Sequence, residues 1–166
     1  MLRLTAAVSA LACLLAVLAG TAARVEAGPT AAHRASAVDR VSPQVRYQRQ
    51  AHRATNKQRT AIGLIALRRQ DCVQRFAIRQ AKAMAAREEM YHQQLQPILD
   101  KCGLSATGEN VAYGFATGRV VVTQGWMKSA GHRANILNPV YRVMGIGARK
   151  GDDGLWYVSQ VFGTPA

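Results

Sequence analysis

The sequence predicts an α+β fold on two main observations. From Tyr47 to Gln96 the chain has no proline and, apart from Gly63, no glycine, and apolar residues recur at helical spacing. Near the carboxyl end, two extended apolar runs at 143–149 and 155–162 flank a Gly-Asp-Asp-Gly segment at 151–154. Asp-Gly between such runs is a strong β-hairpin signal. We therefore expect helices in the first half and antiparallel strands in the second.

The first 27 residues have the pattern of a cleaved secretory signal peptide. Arg3 precedes an uncharged apolar stretch at 4–19, and small residues follow before the Val-Glu-Ala site at 25–27. The stretch is shorter than the roughly 20 residues that span a bilayer, which disfavours an uncleaved anchor helix. A lipid anchor at Cys13 is also disfavoured, because the apolar run continues beyond it. We predict a secreted, extracellular protein with no stable membrane span after cleavage.

Residues 28–45 are rich in Ala, Ser, Pro and Arg and lack apolar periodicity. This composition predicts a disordered basic lead-in, followed by one domain at 46–166. The first helix is expected to start near Ala54 and to end around 62–66.

The second helix is expected to begin at Asp71, which could cap it, and to stop at or before Pro97. One stripe at steps of three and four holds Val73, Ala77, Ala81, Met84, Ala85, Glu88 and His92. The polar end of this stripe predicts that Glu88 and His92 meet at i, i+4 and point toward a cavity. An ordinary exposed pair is the alternative.

The middle of the chain is harder to assign. Residues 111–115 fit a short strand or a loop, and 120–127 fit either a strand or one helical face. Cys72 and Cys102 form an even pair in an exported chain, so a structural disulfide is expected, worth about 3 kcal/mol. Metal ligation by the two is disfavoured, because neither has a second Cys or His two to four residues away.

The chain is strongly basic, with 22 Lys and Arg against 9 Asp and Glu. Most of the excess lies between Arg34 and Arg87, and a field of this sign attracts anionic polymers or lipid headgroups. No nucleic-acid-binding module is recognisable and an exported protein rarely meets nucleic acid, so none is expected as a partner. Anionic cell-envelope polymers and plain solubility remain open explanations.

Four segments in order resemble a known family. They are GEN at 108–110, WMKSAGHRANIL at 126–137, NPVYRVMGIGA at 138–148 and YVSQVFG at 157–163. Together they are similar to the bacterial branch of the CAP superfamily, the SCP-like extracellular domains. The similarity reaches upstream to about residue 54.

The resemblance implies an α-β-α sandwich, with a small antiparallel sheet between helices and with 120–127 helical. It also implies a cleft lined by two histidines and two acids that can hold a divalent metal, often zinc. His92, Glu109 and His132 match three of these positions, and Ser129 stands where the second acid is usual. Zinc sites need three protein ligands and water, or four. The serine adds no negative charge, so a metal-free pair of imidazoles, one oriented by Glu109, is the alternative.

The residues of this cleft are also compatible with catalysis. Ser129 and His132 could form a nucleophile and base, with Glu109 orienting His132. Ser129 could equally cap a short helix starting near Gly131, and this is the interpretation we favour. The remaining candidates for the ligand cleft are Glu88, Asn110, Trp126 and Gln160. Trp126 is also expected to belong to the core, Gln160 to point to the cleft floor, and Asn135 to tie the loop to the sheet.

Three functions are compatible with these patterns. The first is a secreted, non-catalytic binding module whose cleft takes a small ligand, a lipid or an envelope component. The second is a secreted hydrolase, most plausibly a peptidase, that uses the same cleft. The third is a protein that binds anionic envelope polymers through its basic helices.

Overall fold

The computed structural model of the protein describes residues 41–166. The predicted signal peptide with Cys13, and residues 28–40 of the predicted lead-in, lie outside the described residues. The helices are α1 (Pro43–Thr60), α2 (Asp71–Arg87), α3 (Gln96–Cys102) and α4 (Ala130–Ile136). The strands are β1 (Arg68–Arg69), β2 (Leu104–Tyr113), β3 (Val143–Lys150) and β4 (Trp156–Pro165). Three short helical turns, Gly118–Val120, Val121–Gly125 and Trp126–Lys128, connect β2 to α4.

The strands form one sheet in the order β1-β3-β4-β2. The predicted hairpin is confirmed, since β3 and β4 pair antiparallel from Val143↔Gly163 to Lys150↔Trp156. β2 pairs antiparallel with the other side of β4. The two residues of β1 run parallel to β3, so the sheet is antiparallel apart from this short edge strand.

Helices cover both faces of the sheet, which confirms the α-β-α sandwich. On one face, α1, the helical turns and α4 pack against Met144, Ile146 and Phe162. On the other, α2 and α3 pack against Val143 and Val161. Within the described residues, no helix combines the length and the apolar character needed to cross a membrane.

Glycines in β3 allow α2 to lie directly on the sheet. A Cβ atom at Gly145 or Gly147 would clash with the backbone of Gln74 or Ala77 in α2. Because these two residues have no Cβ atom, the backbone of β3 contacts α2 directly at both positions. Close packing of this kind explains the glycine spacing in a strand that is otherwise apolar.

The first helix begins earlier than predicted. Ser42 accepts a hydrogen bond from the Val45 N–H at 3.3 Å, and Pro43 occupies the first turn, a pairing typical of helix starts. Residues 43–45 of the predicted lead-in are therefore helical. The helix ends at Thr60, because Gly63 turns into the left-handed region (φ 78°) and the Leu64 N–H bonds back to the Arg59 carbonyl.

The second helix ends before the predicted polar stripe is complete. Glu88 adopts a left-handed conformation (φ 53°) and caps α2, and the Glu89 N–H bonds to the Met84 carbonyl. The prediction that α2 carries both Glu88 and His92 on one face is therefore wrong. The amino-terminal cap is Gln70 rather than Asp71, and Pro97 lies in the first turn of α3.

Residues 120–127, which fit either a strand or a helical face by sequence, form helical turns, as the family resemblance implied. The expected disulfide between Cys72 and Cys102 is present, with Cα atoms 5.6 Å apart. It joins the first turn of α2 to the end of α3 and so fastens the two helices on one face of the sheet.

Candidate functional site

Glu109 is the buried centre of the site. It lies in the middle of β2, and its side chain is 1% exposed. Oε2 accepts from His92 Nδ1 at 2.8 Å and from the Gln93 N–H at 3.2 Å. Oε1 accepts from Gln93 Nε2 at 2.6 Å and from Ser159 Oγ at 2.8 Å. Four donors surround the carboxylate, so its burial is compensated by hydrogen bonds.

His92 reaches Glu109 from the loop after α2. Its side chain is 59% exposed, while its Nδ1 is held by the buried carboxylate. The loop is itself anchored, because Gln80 Nε2 of α2 donates to the Tyr91 carbonyl at 2.6 Å. His92 is therefore an oriented imidazole at the protein surface.

His132 lies in α4 and is half-buried. Burial, and secondarily the charge of nearby His92, lower the pKa of His132 below its usual value of 6.5. Glu109 orients His92 and not His132, so the predicted Glu109–His132 pairing is wrong.

Ser129 occupies the amino-terminal cap position of α4, which starts at Ala130 rather than near Gly131. Its carbonyl accepts the first bond of the helix, from the Arg133 N–H, but its side chain makes no capping hydrogen bond, so the capping role favoured from the sequence is not formed. Within residues 41–166, Ser129 Oγ and His132 share no hydrogen bond. The nucleophile–base contact that catalysis would require is not formed.

A chain of buried amides lies beneath the site. Gln160 Nε2 donates to Thr55 Oγ1 of α1 at 2.8 Å, and Asn110 Nδ2 donates to Gln160 Oε1 at 3.2 Å. Asn135 Nδ2 then donates to Asn110 Oδ1 at 2.9 Å. Asn110 Nδ2 also bonds to the His132 carbonyl at 3.1 Å. The network connects α1, the sheet and α4, and it fixes the backbone that carries His132.

Two side chains cover the outer edge of β2. Trp126 Nε1 donates to the Val111 carbonyl at 3.1 Å, and Asn135 Nδ2 donates to the Glu109 carbonyl at 3.1 Å. Such cover protects an edge strand from pairing with another chain. Trp126 is 1% exposed, and Asn110 and Gln160 are fully buried. These three predicted cleft residues therefore support the site from below.

Glu88 points away from His92. Its Oε1 accepts from the Asp153 N–H at 2.8 Å, in the turn between β3 and β4. The predicted i, i+4 contact between Glu88 and His92 is not formed, because the left-handed turn at Glu88 ends the helix.

Three residues of the site were not predicted from the sequence. Gln93 supplies two of the four donors to Glu109, Ser159 supplies another, and Thr55 anchors the amide network to α1. None has a distinguishing local signal: Gln93 follows the histidine in a polar run, Ser159 lies within an apolar strand, and Thr55 lies within an ordinary helical pattern.

His92, Glu109 and His132 do not fit a zinc site. Among residues 41–166, no group of three or more His, Cys, Asp or Glu side chains is arranged to hold a metal ion. Both oxygens of Glu109 are already occupied by donors, including the Nδ1–H of His92. Ligation of zinc by Glu109 would break some of these bonds, and Ser129 brings no charge to compensate. Without Glu109 only two imidazoles remain as protein ligands, fewer than a zinc site needs.

The sequence and the fold match known proteins. A family model described as CAP, the cysteine-rich secretory protein family, matches residues 52–162. The uncharacterized protein YkwD of Bacillus subtilis (strain 168) is 32% identical over 110 residues, covering 61% of this chain and 42% of that relative. The match thus spans less than half the length of this curated relative.

Solved structures of three bacterial proteins share the fold. An extracellular SCP-domain protein from Bacillus anthracis is 26% identical with a TM-score of 0.63, covering 75% of this chain and 44% of that one. A cysteine-rich secretory protein from Staphylococcus aureus is 25% identical with a TM-score of 0.62, covering 74% and 39%. An outer surface protein from Borrelia burgdorferi, 19% identical with a TM-score of 0.62 and covering 69% and 90%, is similar in fold. With residues 52–162 matched by the family model and the sandwich fold shared with SCP domains, this protein belongs to the CAP family of cysteine-rich secretory proteins.

Proposed function

We propose that this protein is a secreted CAP-domain module that binds a small ligand without transforming it. The binding site is the cleft bordered by His92, Ser129 and His132, with Glu109 beneath it. The saturated carboxylate of Glu109 is the observation that carries the proposal. A carboxylate engaged by four donors positions His92 and is not free to act as a base or a metal ligand.

The chemistry of the cleft favours an uncharged polar group on the ligand. Burial keeps His132 neutral at pH 7, and a neutral imidazole presents one donor and one acceptor. The hydroxyl of Ser129 can also donate and accept. A lipid or envelope component with a hydroxyl, ester or amide group suits this set.

Secretion is supported by three observations. Residues 1–27 have the pattern of a signal peptide, and Cys72 and Cys102 form a disulfide, which is typical of proteins outside the cytosol. The related proteins are described as extracellular, secretory or outer-surface proteins.

The test is capture of a ligand by the purified mature protein. Wild-type protein is incubated with a lipid and envelope extract, and bound molecules are identified by mass spectrometry. We expect His132→Ala and Ser129→Ala to lose the bound molecule and Gln124→Ala, an exposed change in the neighbouring helical turns, to retain it. Equal retention by all variants would contradict the proposal.

The same samples test the hydrolase hypothesis. Turnover of a peptide and ester panel by wild type, abolished in His132→Ala with the fold intact, would replace binding by catalysis as the function. We expect no turnover, because Ser129 and His132 are not in contact.

A second candidate, binding of anionic envelope polymers, is supported by the charge of two helices. α1 contains no acidic residue, and α2 contains only Asp71. Their exposed basic residues include Arg46, Arg49, Arg53, Lys57, Arg75, Arg79 and Lys82. Binding to a polyanion through either helix would weaken steeply with salt and would be unchanged in His132→Ala. Binding that persists at high salt would contradict it.

A further inference from the structure

A second concave site lies at the sheet edge opposite the proposed ligand cleft. β1 stops after Arg69, so the backbone of Ile146 in β3 has no neighbouring strand on that side. The side chain of Gln74 makes the two hydrogen bonds that a neighbouring strand would make. Its Nε2 donates to the Ile146 carbonyl at 2.6 Å, and its Oε1 accepts from the Ile146 N–H at 3.0 Å. A groove of about 430 Å³ lies beside the Gln74 side chain, between α1 and the edge of the sheet.

The groove is lined by cations and by no acid. Arg49, Arg53 and Arg69 contribute to its wall, Val45 adds apolar surface, and the buried Ile146 lies at its base. Arg49 and Arg53 are four residues apart on α1, so their charges repel each other. Arg69 pairs with Asp71 outside the groove lining at 3.2 Å, but both side chains are largely exposed, at 62% and 74%, and solvent weakens such a pair. An anion in the groove would relieve the repulsion.

His52 adds an unused polar atom to the same groove. Its Nε2 is buried and has no hydrogen-bond partner among the described residues. Burial, followed by the charges of Arg69 and Arg53, lowers the pKa of His52 and keeps the ring neutral. A buried nitrogen without a partner is costly, so a rotation of the ring that turns Nε2 toward the groove and gives it a partner there would be favourable.

We propose that this groove binds a phosphate group, as a monoester or diester, held by Arg49, Arg53 and Arg69, with the His52 ring turned so that Nε2 donates to one of its oxygens. Guanidinium groups recognise phosphate through paired N–H donors, and several phosphate oxygens can serve several donors at once. The carbon skeleton attached to the phosphate would lie against Val45. This site is independent of the proposed ligand cleft, since β3 and β4 separate the two edges of the sheet.

NMR titration with inorganic phosphate and glycerol phosphate tests the site. We expect saturable shifts of the His52 ring and of the Gln74 side-chain amide. The Arg49→Ala/Arg69→Ala variant should bind at least about tenfold more weakly, since it removes two charged donors. The matched control is Arg46→Ala, which removes an exposed charge from the same helix outside the groove lining. It should change affinity less than twofold.

A second variant distinguishes specific phosphate binding from general attraction to the basic surface. His52→Gln keeps the net charge at pH 7 and should weaken binding severalfold with the fold retained. Equal weakening by Arg46→Ala, or phosphate shifts that leave His52 unmoved, would overturn the proposal.

Vesicle flotation then identifies the source of the phosphate. Vesicles of phosphatidylglycerol are compared with vesicles of phosphatidylcholine, using wild type and the double arginine variant. Loss of phosphatidylglycerol binding in the variant assigns the groove to a lipid headgroup. Vesicle binding unaffected by the variant, together with weakened glycerol phosphate binding, assigns it to a free phosphate ester.

Discussion

His92 and Glu109 meet at 2.8 Å across the boundary between solvent and core, with the imidazole 59% exposed and the carboxylate 1% exposed. The buried partner makes three further hydrogen bonds, to Gln93 and Ser159. The carboxylate thus converts a surface histidine into a group with a defined direction. This relationship links the stability of the domain to the orientation of His92.

Glu109→Gln should destabilise the domain. A glutamine amide has one acceptor oxygen, so its NH₂ group would face donors that now bond to a carboxylate oxygen. We expect a loss of about 2 kcal/mol in the free energy of unfolding, measured by urea denaturation. The control is Glu89→Gln, an exposed change just after α2, with an effect below about 0.5 kcal/mol. Equal stability of Glu109→Gln and wild type would show that the carboxylate is not needed.

Acidification should destabilise the protein through its half-buried histidines. The folded-state pKa values of His52 and His132 lie below 6.5, so the unfolded chain binds more protons once the pH falls through about 6.5. The free energy of unfolding should therefore decrease from about pH 7.5 to about pH 5.5. The His52→Gln/His132→Asn variant should show a flatter profile in urea titrations at each pH. An increase in stability on acidification over this range would contradict the assignment.

Arg59→Met should be among the most damaging changes in α1. The guanidinium is fully buried and donates to the carbonyls of Ile65, Ile136 and Asn138 at 2.9, 2.7 and 2.8 Å. Removal leaves buried carbonyls unpaired, and we expect a loss of about 3 kcal/mol by chemical denaturation. The control is Lys57→Met, an exposed change two residues earlier on the same helix, which should have little effect. A small loss for Arg59→Met would mean that water replaces the guanidinium.

Removal of the disulfide should lower the stability without changing the fold. Closure of the loop between Cys72 and Cys102, a sequence separation of 30, stabilises by about 3 kcal/mol in the chain-entropy model. Cys72→Ser/Cys102→Ser should therefore melt at a lower temperature than wild type in calorimetry. Wild type in reducing buffer should melt close to the double variant. A reduced wild type that melts like the oxidised protein would show that the crosslink contributes little.

Local patterns in the chain specified much of the architecture. The alternating runs around Asp153-Gly154 predicted the hairpin, and the even pair of cysteines predicted the disulfide, because these signals depend on neighbouring residues or on residue type. The start of α1 was also encoded locally, in the Ser42-Pro43 pair. The Ala- and Arg-rich composition around it predicts disorder, but the capping serine and the proline determine the local conformation.

The roles of the site residues depended on contacts between distant parts of the chain. Sequence motifs were enough to identify Glu109, His92 and His132 and the family to which they belong. Folding was needed to bring Glu109 to His92, 17 residues away, and Gln160 to Thr55, 105 residues away. Helical periodicity predicted His92 on α2. In the structure the left-handed turn at Glu88 ends α2, and His92 lies in the loop that follows. A side chain's hydrogen-bond partner is chosen by burial and packing, and those are properties of the folded chain as a whole.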